Sequence, residues 1–155
     1  MRAEIHEASN QDAKTIAELY NELAHHDLSL LPENLQELQE VWETGKNEEA
    51  ILGIVNGPDS KIFKAVVNNK IVGFISCGLL KTPSNTYEGV IDIFLQEEYR
   101  GKGIGQQLVK QAEAWFKKAG CKVIGLDVYP QNTRAKNFYS KCGFTIVYQG
   151  MKKRI

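Results

Sequence analysis

Three glycines within five residues, placed between an apolar run and an amphipathic helix, constrain this chain more than any other feature. The segment reads Arg100-Gly101-Lys102-Gly103-Ile104-Gly105. The first turn of a helix has main-chain N–H groups without partners inside the helix, and the helix dipole adds positive potential there. Glycines let the chain turn tightly and let a ligand approach the backbone. The segment therefore predicts an anion site, suited to phosphate, at the start of a helix.

The spacing of the glycines separates the kinds of phosphate site. A P-loop needs Gly-x-x-x-x-Gly-Lys-Ser/Thr, and the chain has no such run. A dinucleotide site needs Gly-x-Gly-x-x-Gly near the start of a βαβ unit, whereas here the third glycine would fall on Gln106 and a meander precedes the turn. A turn without a ligand is the structural alternative. Each glycine loses more backbone conformational entropy on folding than alanine does, at a cost of roughly 0.5–1 kcal/mol. Because a turn without a ligand would not need three such residues, the cost favours a ligand-binding role.

The hydrophobic pattern predicts helices and strands along the whole chain. Ser9 and Asp12 resemble a capping box at the start of the first helix, and Asn68-Asn69-Lys70 reads as a hairpin turn. Helices are predicted at about 10–25, around Leu35, Leu38, Val41 and Trp42, and at 47–56, 103–119 and 133–141. Strands are predicted at 61–67, 71–80, 87–95, 121–129 and 144–149.

This order of elements predicts a mixed α/β (α+β) fold. Helices come first, then an antiparallel meander, then strand–helix–strand–helix–strand, which is typical of a mixed sheet with helices on both faces. The chain has 155 residues, enough for one domain over 1–155.

Composition excludes several classes of protein. Lys and Arg number 19, as do Asp and Glu, so no bulk positive charge would attract nucleic acid or an anionic membrane. No run approaches the roughly 20 apolar residues that span a bilayer. The three cysteines have no metal-binding spacing and are too few for a disulfide framework. We therefore expect a soluble cytoplasmic protein without a metal, a nucleic-acid partner or a membrane partner.

Two segments together resemble the GNAT superfamily of acetyl-CoA-dependent N-acetyltransferases. The family's phosphate-binding run is Arg/Gln-x-x-Gly-x-Gly/Ala, which residues 100–105 follow. A second block, Asn-x-x-Ala-x-x-Phe/Leu-Tyr-x-x-x-Gly-Phe, is matched by residues 132–144. The element order agrees along nearly the whole chain, although residues 25–60 agree only in type.

The resemblance implies a GNAT-like, mostly antiparallel twisted sheet with a splayed pair of parallel strands, here 121–129 and 144–149, that hold acetyl-CoA as cosubstrate. The strand edge at 93–95 would bind the pantetheine arm, and Tyr139 would protonate the departing thiolate. The cofactor-binding residues implied are Ile93, Phe94, Leu95, Arg100, Gly101, Lys102, Gly103, Ile104, Gly105, Gln106, Asn132 and Lys136. Arg134 is a further candidate for the adenosine phosphates.

The acceptor side of the site is less specific in sequence. If Ile91 and its alternate neighbours face the core, Asp92 faces the acceptor groove, where it would hold an ammonium or relay its proton through water. Ile91 stands where many relatives carry a glutamate base, so we expect deprotonation through water. Glu22, Asp27, Glu33 and Asp92 are candidates for an acidic groove. His25 and His26 are expected in an exposed loop after the first helix.

The resulting hypothesis is N-acetyltransfer to a primary amine of a small molecule by direct attack through a tetrahedral intermediate, with Tyr139 and Asp92 as catalytic residues. The alternatives are a protein N-terminal or lysine acetyltransferase and a non-catalytic acyl-CoA-binding sensor. Relatives often dimerise, and a homodimer through the C-terminal residues is expected by analogy alone.

Overall fold

The structure is a computed structural model that describes residues 2–36 and 45–155. The strands are β1 (Glu4–Glu7), β2 (Ser60–Val67), β3 (Lys70–Lys81), β4 (Tyr87–Leu95) and β5 (Ile124–Gly125). The helices are α1 (Ala13–Ser29), α2 (Glu33–Gln36), α3 (Glu48–Asn56), α4 (Ile104–Lys118) and α5 (Thr133–Lys141). Short 3₁₀ turns at Asn10–Asp12 and Glu97–Tyr99 precede α1 and the glycine-rich turn.

The five strands form one sheet in the order β1-β2-β3-β4-β5. The first three pairings are antiparallel and the β4–β5 pairing is parallel, as a crossover through α4 requires. Asn68 and Asn69 have φ angles of 49° and 62°, the left-handed values of a two-residue hairpin turn. Lys70, which we predicted within this turn, already pairs with Val67.

Helices cover both faces of the sheet, as the sequence predicts. On one face α4 packs its apolar stripe on the strands, with Leu108, Ala112 and Phe116 almost fully buried. On the other face α1 and α3 enclose a second cluster that includes Ile16, Tyr20, Ile51, Phe74 and Phe94. The side chains of β4 point alternately to the two faces of the sheet, so that Ile91 packs in the first cluster and Phe94 in the second.

The first helix extends further than predicted. It begins at Ala13, after the 3₁₀ turn, and continues through His25, His26 and Asp27 to Ser29. The prediction of a loop for the two histidines is therefore wrong, although both are exposed as predicted. Neither His nor Asp breaks a helix, and half-buried Leu28 continues the apolar stripe of the helix past the polar run. Of the predicted second helix, Leu35 lies in α2, and Leu38, Val41 and Trp42 lie outside the described residues.

The end of the chain also differs from the prediction. Only Ile124–Gly125 of the predicted strand 121–129 pairs in the sheet, and residues 144–149 form no strand. The parallel pair is therefore β4 with β5 rather than 121–129 with 144–149. Phe144 packs partly buried against the core, but Ile146, Val147 and Tyr148 are exposed, so residues 145–149 bury no apolar face that could specify a strand register.

Candidate active site

The glycine-rich turn joins the end of β4 to the start of α4. Gly103 is the N-cap of α4 and has no side chain to cap it, and the helical hydrogen bonds start with Gln107 N–H donating to the Gly103 carbonyl at 3.2 Å. The N–H groups of Ile104, Gly105 and Gln106 therefore precede the hydrogen-bonded ladder of the helix. Grouped N–H donors of this kind, at the positive end of a 15-residue helix, suit a phosphate.

The three glycines of the turn meet different requirements. Gly101 and Gly103 have φ angles of +74° and +81°, a backbone conformation that residues with a Cβ rarely adopt. Gly105 has no such angle, but a Cβ placed there would lie 3.0 Å from the Phe138 ring of α5. The first two glycines shape the turn, and the third lets α4 approach α5 closely.

Cationic side chains surround this turn and also brace it. The Arg100 Nε donates to the Leu95 carbonyl, and its guanidinium lies 5.6 Å from the centroid of the Phe94 ring. Lys102 Nζ donates to the Glu98 carbonyl at 2.7 Å. Burial, and after it the nearby Arg134, lower the pKa of Arg100. An anion bound between Arg100 and Arg134 would relieve their mutual repulsion.

Part of the outer edge of β4 is free for hydrogen bonding. Gln96 N–H donates to the Val72 carbonyl, so by alternation the main chain of Phe94 faces β3 and that of Ile93 and Leu95 faces outward. The parallel ladder with β5 involves only Gly89 and Val90 of β4. Of the three residues expected to bind a pantetheine arm, Ile93 and Leu95 therefore present N–H groups to the open edge, while the Phe94 ring is buried between the sheet and α1.

The second block forms α5 with the predicted bounds. The Asn132 Oδ1 accepts a hydrogen bond from Ala135 N–H at 3.0 Å, which makes Asn132 the N-cap. Lys136 lies partly buried in the first turn of the helix. At the other end, the Phe144 N–H donates to the Tyr139 carbonyl, and Gly143 has a φ angle of +91°.

Tyr139 lies partly buried on α5, between two aromatic neighbours. Its ring centroid is 5.3 Å from that of Phe138 and 5.8 Å from that of Phe144. Burial, together with the negative charges of Asp92 and Asp27, raises the pKa of Tyr139 well above its usual value. The phenol is therefore protonated at neutral pH and is a proton donor.

Asp27 and Asp92 bring two carboxylates to Tyr139 from different elements. Asp27 is in α1 and Asp92 is in β4, yet each affects the pKa of Tyr139. Burial raises the pKa of Asp27, an effect that His26 opposes and Asp92 reinforces. The His26 Nδ1 lies 3.5 Å from Asp27 Oδ1. Asp92 is exposed at the surface of the sheet and accepts a hydrogen bond from the Tyr20 hydroxyl at 3.2 Å.

The structure brings together some of the proposed acidic groove and separates the rest. The charge of Asp92 adds to burial in raising the pKa of Asp27, whereas Glu22 accepts a long hydrogen bond of 3.4 Å from Gln96 and contributes to the field at Arg100. Glu33 stands at the start of α2. Tyr20 was not among the site residues predicted from the sequence. Its spacing of seven from Asp27 on one helix, which places both on the same face, could have indicated a shared role.

The residues that the structure describes contain neither a metal-binding cluster nor a membrane-spanning helix. Within residues 2–36 and 45–155, no three His, Cys, Asp or Glu side chains are grouped so that they could hold a metal ion. The same residues include no helix with the length and apolar character needed to cross a membrane.

The family of the protein follows from a direct match. The sequence model described as the acetyltransferase (GNAT) family matches residues 17–144, most of the chain, and the chain belongs to this family. A solved structure of a mutant of the BH1408 protein from Bacillus halodurans is similar, with a TM-score of 0.83, 25% identity and coverage of 98% of this chain and 99% of that one.

Curated relatives add named acceptors. The chain is 30% identical over 151 residues to the spermidine N(1)-acetyltransferase of Thermoplasma acidophilum, which covers 94% of this chain and 90% of that protein. It is 31% identical over 88 residues to a streptothricin acetyltransferase from Escherichia coli, which covers 57% and 49%. The matches to the first curated relatives span about half of those proteins' length or less.

Proposed function

We propose that this chain is an N-acetyltransferase that moves the acetyl group of acetyl-CoA to a primary amine of a small molecule. One observation carries the proposal. The Tyr139 phenol packs between Phe138 and Phe144, and its pKa is raised by burial and then by the charges of Asp92 in β4 and Asp27 in α1. A proton donor within the field of two carboxylates that can bind a cation suits amine acetylation.

Acetyl-CoA supplies the thioester, and this chain's residues hold it. The N–H groups of residues 101–106 would bind the pyrophosphate at the start of α4, with Arg100, Lys102, Arg134 and Lys136 near its charge. The outward N–H groups of Ile93 and Leu95 would bind the pantetheine arm as an added strand does, with one of them donating to the thioester oxygen. Asn132 would flank the same arm.

The acceptor amine arrives as an ammonium, which has no lone pair and must lose a proton before it attacks. Asp92 and Asp27 would bind the ammonium, and its proton would leave through water to solvent. Ile91, the residue before Asp92, offers no carboxylate of its own. Attack forms the new N–C bond and a tetrahedral oxyanion, which the main-chain donor of β4 stabilises.

Collapse of this intermediate breaks the C–S bond, and Tyr139 gives its proton to the sulfur. The attacking nitrogen loses its second proton as the amide forms, and this proton restores the Tyr139 phenol, directly or through water. Burial, and after it the charges of Asp92 and Asp27, raises the pKa of Tyr139 in the free protein and makes the phenol a weak acid. An ammonium bound to the carboxylates would offset their charge and remove their part of this rise in pKa. Amine binding would thus prepare the proton donor.

Thiol release from acetyl-CoA tests the function with a panel of polyamines, aminoglycosides, amino acids and short peptides. We expect turnover with a small-molecule amine and a fall in kcat of roughly 10²–10⁴-fold in Tyr139→Phe. The matched control is Tyr148→Phe, which removes an exposed phenol that donates to Asp127 at 2.8 Å. Equal turnover in Tyr139→Phe would contradict the role of Tyr139, and no acetyl-CoA binding in a titration would contradict the proposal as a whole.

We also propose that residues 1–155 act as one domain, and that the protein is a cytoplasmic homodimer. All three cysteines have free thiols, which suits a reducing compartment. Near the C-terminus, Ile146, Val147, Tyr148, Met151 and Ile155 are each at least 71% exposed. A second copy that covered them would remove a large apolar surface from water.

A further inference from the structure

Tyr20 combines complete burial with a polar group that reaches the acceptor side of the site. Its side chain is 0% exposed, within the cluster between α1, α3 and the sheet. The ring lies against Phe74, with centroids 4.4 Å apart, and Lys46 Nζ is 5.1 Å from its centroid. These neighbours restrict the phenol to one position.

The hydroxyl of this buried ring is directed at a catalytic candidate. It donates to Asp92 Oδ2 at 3.2 Å. Ser76, the direct cross-strand partner of Asp92 in β3, is also buried and lies at the same phenol. A phenylalanine would fill the same space without a hydroxyl that must find a partner.

Among the residues that the structure describes, the Tyr20 hydroxyl is the side-chain partner of Asp92. Its side chain is on the surface of β4, where exposed carboxylates usually sample several rotamers. Its Oδ2 accepts the hydrogen bond from Tyr20, and the negative charge of the same carboxylate reaches Tyr139, whose pKa it raises.

We infer that Tyr20 is a positioning residue, which aims the Asp92 carboxylate at the acceptor ammonium from inside the hydrophobic core. The inference rests on the proposed function, since it assigns a support to the acceptor site. It also links the packing of α1 on the sheet to the binding of the amine.

Steady-state kinetics of Tyr20→Phe test the inference. We expect the KM for the amine to rise about tenfold, as for one lost hydrogen bond to a charged group, while the KM for acetyl-CoA stays unchanged. In an Asp92→Asn background the same substitution should have less than about a twofold effect, because the two residues would act as one unit. An equal effect in both backgrounds would overturn the inference.

Ile51→Val is the matched control for packing. It removes a buried methyl group from the same cluster, on α3, and leaves both the Phe74 ring against Tyr20 and the hydrogen bond to Asp92 in place. We expect it to lower the midpoint of urea unfolding without a change in the KM for the amine. If Tyr20→Phe behaves in the same way, Tyr20 is only a core residue and the inference is wrong.

A crystal structure of Tyr20→Phe gives a readout that needs no activity. Asp92 in more than one conformer would support the inference, and a single conformer unchanged from wild type would overturn it. If no amine in the panel is acetylated, the proposed function fails on its own, and this structure still decides whether Tyr20 orients Asp92.

Discussion

At the scale of single residues, the two carboxylates near Tyr139 differ in how the protein holds them. Asp92 is exposed and fixed by a hydrogen bond from Tyr20, whereas Asp27 is half-buried beside His26. Both should bind an ammonium, but only Asp27 should cost the free protein stability. This difference leads to two separate predictions.

The first prediction concerns amine binding. Asp92→Asn and Asp27→Asn should each raise the KM for the amine roughly 10–100-fold, since each removes one charged partner of the ammonium. The KM for acetyl-CoA should not change, and steady-state kinetics with both substrates varied measures the two constants. Asp59→Asn, in an exposed turn before β2, is the control. A similar rise in both KM values would contradict the assignment of these carboxylates to the acceptor.

The second prediction concerns pH and stability. Because the pKa of Asp27 is raised on folding, the folded protein binds a proton more tightly than the unfolded chain does. Ionised Asp27 therefore lowers the free energy of unfolding above its usual pKa of about 3.9, and the penalty disappears at lower pH. Asp27→Asn should be more stable than wild type in urea at neutral pH and equal to it at about pH 3. Lower stability at neutral pH would contradict this reasoning.

At the scale of elements, Asp12 connects the start of α1 to the sheet. Its Oδ2 accepts from the Ser9 N–H at 2.7 Å and the Ser9 Oγ at 2.9 Å, and its Oδ1 pairs with Lys64 of β2 at 2.7 Å. Burial alone would raise the pKa of Asp12, but the bonds from Lys64 and Ser9 together lower it. The ionised form is therefore the one that the fold stabilises.

Replacing this carboxylate should weaken the junction at neutral pH only. Asp12→Asn should lower the free energy of unfolding by about 1–2 kcal/mol at pH 7, from the lost ion pair and cap. A depressed pKa contributes stability above the unfolded pKa, which is lost as the pH falls through the folded value. Urea unfolding at pH 7 and near pH 2 should thus show the difference shrink, and a constant difference would point to packing instead.

A further prediction at this scale concerns the glycine-rich turn at the start of α4. Gly103→Ala forces a Cβ onto a residue with a φ angle of +81° and should cost about 1–2 kcal/mol of stability. It should also weaken acetyl-CoA binding in a titration, because the turn presents the N–H groups of α4. Gly53→Ala is the control: the residue lies inside α3 with nothing within 4 Å of the added Cβ. That change should stabilise the helix by up to about 1 kcal/mol.

At the scale of the whole molecule, the C-terminal residues bury almost nothing in one copy of the chain. Ile146 and Val147 are 71% and 83% exposed. A homodimer that covers them should give the mass of two chains in sedimentation equilibrium. Ile146→Asp with Val147→Lys should shift the mass to that of one chain. A wild-type protein that stays at one chain at high concentration would contradict the proposed dimer.

Prediction from sequence succeeded where local chemistry decides the structure. Helices α3, α4 and α5 have nearly the predicted bounds. Their N-caps, Asn47, Gly103 and Asn132, are local signals that can be recognised in the sequence. The meander of β2, β3 and β4 follows from alternating apolar residues and the Asn68-Asn69 turn. Strand β1 was missed because four residues with one apolar side chain carry little pattern, and its pairing with β2 spans more than fifty residues.

The sequence by itself determined most of the helices, the meander, the glycine-rich turn and the family, because capping, periodicity and glycine spacing act over a few residues. Only the tertiary structure decided which polar groups meet. Asp27, Asp92 and Tyr139 are remote along the chain, and only the fold brings the phenol within reach of the charges of both carboxylates. The role of Tyr20 is of the same kind, since one buried hydroxyl acquires a function only through the carboxylate that the sheet places above it.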